Sequence, residues 1–504
     1  MGTKNYDSAT DMITFSRASG GTALRRVGYG TELADPSATY SLPAQYNGIS
    51  SAPAIGQTYR ISITRTTSGG GFTLSLGGSS SGWITFTGTR IFYLTTTNTN
   101  TLTIRGDGNT SGNAINVSVK QIVYDRATDP LVLYNHPDNI PRIEYDTTGA
   151  VKGLLIEEAR TNLMTYSNDF TNAVWIKSTV SNTANAGVSP DGTSNATKVV
   201  PATSIYRHYT YQTLNLPTAD YSFSVYVASS GYGFATICAG SEGVSNYYAV
   251  VIDLSDGTQT ALYSQGTHSK TVTVEPVGSY YRVTISGDGE KYYVVGASDT
   301  GTYTPASYGF KSFSGDGTSG ILVYGAQAEA GSFPTSYIPT TSSSATRAAD
   351  IASIPTSAFG YNDAAGTVVV EASLKSSSYP NSANIVSLAD ASNTDTTRLW
   401  VWSGADSTMR WTVLEGNVSQ VDSTKPYTKD QLFSVAGAYK VNDFAISLDG
   451  SAVSTDTSGS VTSDVASLHI GTKTGGTEFM SGHIKSIQYY PRRLTNAQLQ
   501  ELTT

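Results

Sequence analysis

From Tyr59 to Gln121 apolar and polar residues alternate with period two, interrupted only by short clusters of turn residues. YRISITRT, FTLSLGG, WITFTG, IFYLTTT, TLTIRG and INVSVKQIVY each read as a short strand with one face inward and one outward. SGGG, GGSSSG, TNTN and GDGNTSGN separate them, all turn chemistry. Composition extends this reading to the whole chain. Charged residues are 14%, against roughly 25% in average soluble domains. Gly (49) and Tyr (33) are abundant, whereas the Lys and Glu that favour surface helices are scarce. The expected fold class is all-β, a tandem of antiparallel β-sandwiches with one short C-terminal helix.

At 504 residues the chain exceeds one hydrophobic core, and length suggests about three or four domains. The strand-rich block at 38–123 reads as a small sandwich inserted between 1–37 and 124–161, two flanks of more charged and less repetitive character. Residues 162–340 form a larger sandwich, with strands such as YSFSVYVAS, YYAVVIDL and KYYVVGAS. Residues 341–365 read as a linker, and 366–504 as a further sandwich. The helix is expected at the end, where Thr495 caps and Gln498 reaches back. Leu494, Leu499 and Leu502 supply its apolar contacts, and it is expected to plug one end of the last sandwich.

A net charge of −8 and the absence of any Lys/Arg cluster argue against nucleic acid as a partner. No apolar stretch approaches membrane-spanning length, so no membrane insertion is expected, and Met1–Ser16 lacks the apolar core of a secretory signal. The single cysteine, Cys238, lies in an apolar run and reads as a small core residue, in keeping with folding in a reducing cytoplasm. Gly315, Gly317 and Gly320 spell G-x-G-x-x-G, but the strand ILVYGAQ follows where a phosphate-binding loop needs a helix. His136, His208, His268, His469 and His483 are scattered without metal-ligand spacing, so neither metal nor cofactor is expected. Glu371, Asp390, Glu415 and Asp253 are carboxylates on or beside strands, and read as turn caps and solvated strand ends. Asp390, Asn393 and Asp395 read as a hairpin loop more readily than as a calcium site.

Three stretches carry a resemblance. FSRAS (Phe15–Ser19) and PRIEYDTTGAVKGLLIEEARTNLMTYSNDFTNAVW (Pro141–Trp175) resemble a segment of tailed-phage virion proteins. ILVYGAQAEAGSFPTSYIPTTSSSATRAAD (Ile321–Asp350) resembles the closing strand of the carbohydrate-binding-module-like jelly roll that follows it there. FSVAGAYKVNDFAISLDG, with HIKSIQYYPRRLTNAQLQELT, resembles a concanavalin A-like or laminin-G-like lectin domain. The resemblance implies a virion fibre or spike subunit on the particle exterior, mounted through the split module at 1–37 and 124–161. Its partners would be other virion proteins, itself as a homo-oligomer (a trimer by preference) and host-surface glycan. It would be a structural protein and not an enzyme. A purely architectural decoration protein and a glycan-degrading tail-spike hydrolase are the competing readings.

Sugar rings present C–H groups that stack on flat aromatic faces, so glycan sites combine exposed rings with polar side chains. The Tyr set of the middle sandwich offers that chemistry: Tyr206, Arg207, Tyr209, Tyr211, Tyr247, Tyr281 and Tyr292 are the candidate glycan-binding residues. Tyr209 and Tyr211 share a strand face by alternation. Trp400, Trp402 and Trp411 read as sandwich core instead, because Trp is usually buried.

Overall fold

The structure is a computed structural model. It describes residues 14–18, 20–34, 40–41, 46–47, 52–65, 70–85, 88–106, 114–217, 219–242, 246–266, 270–375, 382–402, 407–428 and 431–504. The N-terminal residues 1–13, Ser19 of the FSRAS motif and His268 lie outside the described residues. The fold is all-β, with antiparallel sheets throughout and a single α-helix among the described residues. No described helix is long and apolar enough to cross a membrane. The described residues divide into two compact units, 25–131 and 14–24 with 132–504.

In the first unit Thr58–Arg65 pairs with both Ala114–Tyr124 and Gly88–Thr95, while Phe72–Leu76 pairs with Ser79–Ile84 and Thr103–Gly106. The period-two pattern becomes the core directly: Ile61, Ile63, Phe72, Leu74, Ile104, Val117 and Val119 all point inward.

The second unit holds two sandwiches. The middle one packs two six-stranded sheets over a core that includes Phe223, Val225, Ile237, Val250, Val283, Tyr293 and Val323. One of its sheets runs, in spatial order, through Ile176–Ser178, Tyr209–Thr213, Tyr292–Ser298, Phe234–Glu242, Asn246–Asp253 and Gln259–Gln265. The C-terminal sandwich packs two seven-stranded sheets around Val368, Val370, Leu399, Val401, Trp411, Val435 and Ile446. Gly437 makes room for the buried Trp411 indole, since a Cβ there would lie 2.3 Å from the ring. Segments far away in sequence complete both sheets. Thr14–Ser16 pairs with Ile351–Pro355, and Arg142–Tyr145 pairs with Val151–Ile156, which pairs with Gly482–Tyr490.

These joins surround a buried ion network. Arg17 meets Asp350 at 3.1 Å, Arg142 bridges Glu157 (2.8 Å) and Asp350, and Arg347 lies 3.5 Å from Glu157 and 3.8 Å from Asp350. The Glu157 amide donates to Asp350 at 2.9 Å, and Glu157 also accepts from Ser336. Burial alone would raise the Glu157 carboxyl, but the Arg347 and Arg142 guanidinia and the Ser336 hydrogen bonds overcome it and hold the group well below its ordinary range.

The helix, Asn496–Leu502, starts in a complete capping box: the Thr495 side chain accepts from the Gln498 amide, and Gln498 reaches back to the Thr495 amide. Leu494, Leu499 and Leu502 pack on Val369, Ala436, Ala438 and Ala445. Those residues alternate with core residues on their strands, so the helix lies along the outer face of a sheet and does not plug the sandwich's end. Small alanines on that face leave the space it occupies.

Candidate functional site

Alternation puts Tyr293 of the strand Tyr292–Ser298 into the middle sandwich's core and turns Tyr292 to the opposite face of its sheet. Tyr209, Tyr211, Tyr247 and Phe310 collect there as well, with Tyr308 arriving from the short 3-10 turn Ser307–Gly309 in a left-handed conformation, φ 59°. Ring centroids lie 6.0 Å apart for Tyr209 and Tyr211, 5.7 Å for Tyr211 and Tyr292, and 5.5 Å for Tyr292 and Tyr308. Tyr211, Tyr292 and Tyr308 are half-buried and present ring surface to solvent. Burial pushes the Tyr308 hydroxyl up to about 12 and raises that of Tyr211, so both stay protonated and act as neutral donors and acceptors.

Four of the seven expected residues therefore come together: Tyr209, Tyr211, Tyr247 and Tyr292. Two of them are foundation and not contact surface, since Tyr209 is 6% exposed beside Phe310 and Tyr308, and Tyr247 is 4% exposed against Gly309. Tyr281 belongs to the other sheet, where its ring lies against Gly257. Tyr206 and Arg207 form a separate short strand paired with Ser312–Phe313, and the Arg207 guanidinium stacks 4.9 Å over its neighbour's ring. No ring contact joins these three to the Tyr cluster among the described residues.

The C-terminal sandwich carries a second aromatic face. Along Thr396–Trp402, Leu399 and Val401 enter the core, so Arg398, Trp400 and Trp402 point the other way. The core assignment holds for Trp411 and fails for Trp402; Trp400 is buried as expected, but on the sheet's other face. Trp400 is 7% exposed because polar neighbours cover it: Arg398 lies 4.5 Å and Arg410 5.3 Å from its ring, and its Nε1 donates to Thr412 at 2.7 Å. Trp402 stands edge-on to it at 6.0 Å and is half-exposed, with Arg410 5.7 Å away. Carboxylates orient the guanidinia, Glu478 on Arg398 at 2.9 Å and Asp422 on Arg410 at 2.7 Å. Glu478 also accepts from Asn384 Nδ2 at 2.7 Å. Buried polar atoms on the same patch, Asn384 Oδ1, Ser387 Oγ and the Nε of Arg398 and Arg410, have no hydrogen-bond partner. A flat ring beside planar cations, a carboxylate and an amide is suited to stacking on a sugar ring while hydrogen-bonding its hydroxyls. The R-L-W-V-W alternation already places Arg398, Trp400 and Trp402 on one face. Asn384, Arg410 and Glu478 reach it only through strand pairing and a distant loop.

The other candidates serve the fold. Glu371 pairs with Lys485 at 2.7 Å, Glu415 caps Ser463, and Asp253 accepts from Ser255. Asp390 accepts from Ser392, Thr394 and the Asp395 amide. Burial opposes ionisation there, but those donors win and hold its carboxyl at about 2. The glycine motif forms the turn into Gly320–Ala330, and Cys238 is fully buried.

Residues 344–500 match the sequence profile of the concanavalin A-like lectin/glucanases superfamily. No curated protein matches the chain. Among solved structures, the heptameric SAP-like pentraxin of Limulus polyphemus is similar at 20% identity, over 27% of this chain and 68% of that one, with a TM-score of 0.23. Domains LG4-5 of the mouse laminin alpha1 chain are similar at 10% identity, over 58% and 88%, with a TM-score of 0.21. Trypanosoma rangeli sialidase is similar at 9% identity, over 87% and 76%, with a TM-score of 0.24. Scores this low carry no argument about function. What the profile match identifies, on a segment that supplies most strands of the two seven-stranded sheets, is a concanavalin A-like, laminin-G-like domain at residues 344–500.

Proposed function

We propose that the protein is a non-enzymatic subunit of a tailed-phage virion appendage, a fibre or spike on the particle exterior that attaches to host-surface glycan. The observation that carries the glycan reading is the Trp400–Trp402 face, which lies within the segment matching a lectin superfamily. The Tyr211–Tyr292–Tyr308 surface is a second aromatic platform of the same chemical kind. The virion reading rests on the FSRAS and PRIEYD…GLLIEEARTN resemblance. Self-association, a homotrimer by preference, would let weak single sites gain avidity on one surface.

The test is binding of the labelled protein to host cells, with and without extracted surface polysaccharide. Saturable binding that the polysaccharide abolishes, and that W402A weakens about tenfold or more, supports glycan attachment. A folded protein that binds no cells points instead to a purely architectural role. Release of reducing ends from the polysaccharide would overturn the non-enzymatic reading.

A further inference from the structure

Beneath the sheet strand Tyr280–Asp288, where the middle sandwich meets the strands Arg142–Tyr145 and Val151–Ile156, lies a cavity of about 240 Å³, room for roughly eight waters. Most of its charges are matched. Lys152 is 3.0 Å from Glu144, which also accepts from His483 Nε2 at 2.6 Å, and Lys375 is 3.8 Å from Glu275. Glu157 is committed to Arg142 and Arg347, and Asp146 to the amides of its own turn.

Arg282 is the exception. It lines the cavity and is 5% exposed, yet it forms no ion pair with any described residue. Its Nη2 donates to Ser224 Oγ at 2.9 Å and to the Thr335 carbonyl at 2.7 Å. Its Nε has no partner, and its Cζ lies 5.5 Å over the Tyr226 ring. A guanidinium stays charged at any ordinary pH; Glu275, Glu329 and Glu157 lie near enough to favour that charge but none pairs with it directly, so its Nε is left open at the cavity wall. The fold holds this one at the wall of a space large enough for a small ligand.

The other walls narrow the ligand's class. A planar guanidinium matches a carboxylate better than a point charge does. Glu144 and Glu275 are acceptors for hydroxyl groups, and they disfavour a multiply charged anion such as phosphate. Val277 and Leu133 supply apolar wall for C–H groups. We propose that this cavity binds a monoanionic sugar residue, a hexuronate, with its carboxylate on Arg282 and its hydroxyls on Glu144 and Glu275. The site is separate from the Trp402 face and does not depend on the function assigned to that face.

Calorimetric titration of the full chain with glucuronate and galacturonate, alongside glucose and inorganic phosphate, tests this. Saturable uronate binding is expected, with glucose and phosphate at least about tenfold weaker, the scale of one charge-assisted contact. R282M should weaken uronate binding by the same factor, and R282K by less, because the charge remains but the fork is lost. V277F, which fills the cavity without touching the cation, should block binding and guards against a misfolded Arg282 variant. Loss of cell binding in W402A and loss of uronate heat in R282M are separate readouts, so failure of the surface site and failure of this one are distinguishable. Uronate binding that survives both R282M and V277F, glucose binding as tightly as glucuronate, or no uronate heat at millimolar ligand would each overturn the assignment.

Discussion

Substituting Asp350 with alanine tests whether the buried ion network holds the second unit together. Asp350 is fully buried; its carboxylate pairs with Arg17 and Arg142, lies near Arg347, and accepts the Glu157 amide. Without it, Arg142 and Arg347 share Glu157 alone, and Arg17 loses its Asp350 pair. Removing one partner from a buried pair costs about 3–5 kcal/mol. Stranding the Glu157 amide adds about 1–3 kcal/mol. A loss of about 4–8 kcal/mol is a large part of the 5–15 kcal/mol typical of a domain. D350N keeps an acceptor but not the charge and should fall between wild type and D350A. Urea unfolding followed by tryptophan fluorescence reads this well, because Trp175, Trp400, Trp402 and Trp411 all belong to this unit. The network also predicts acid sensitivity. Glu157 is depressed in the folded state, so its contribution is fully present above its unfolded value of about 4.3 and is lost as pH falls toward the depressed folded value. A D350A protein within about 1 kcal/mol of wild type would refute the reasoning and show that the guanidinia are solvated or paired in some other way.

Two further outcomes follow from packing. G437A should cost about 1–3 kcal/mol, because its new methyl would enter the space of the Trp411 ring, and a G437A/W411F pair should recover part of that loss; unfolding midpoints of the single and double variants check it. Cys238 is fully buried, and burial pushes its thiol far above the ordinary range, so it should resist thiol reagents in the native protein and react only on unfolding; rapid native labelling would contradict its placement.

The strands and their faces were legible because β alternation is local. The same period that buries Ile61 and Ile63 put Tyr293 inside and Tyr292 outside. Alternation does not say what lies over an outward face. Tyr247 points out of its sheet and is still buried, because the turn Ser307–Gly309 folds back from about sixty residues further on and sets Gly309 against its ring. Tyr281 was grouped with the cluster by type, but pairing put it on the opposite sheet. Trp402 misled in the other direction. Burial frequency favoured the core, while Leu399 and Val401, which alternate with Trp400 and Trp402, had already claimed it.

The stretches that carry the virion resemblance are the stretches that build the ion network. Arg17 comes from FSRAS, Arg142 from PRIEYD, Glu157 from GLLIEEARTN, and Arg347 and Asp350 from TRAAD. The same stretches supply the strands Thr14–Ser16, Arg142–Tyr145 and Val151–Ile156 that complete the C-terminal sandwich's sheets. Strand pairing across more than three hundred residues leaves no local trace in sequence, but the charges it requires do leave one, as Arg, Glu and Asp gathered in a few stretches of a chain otherwise poor in charge. A motif of this kind reports how an architecture is joined. On the proposed function, ligand choice would fall to surfaces the network does not constrain, such as the Trp402 face, where substitutions should alter binding without disturbing the joins.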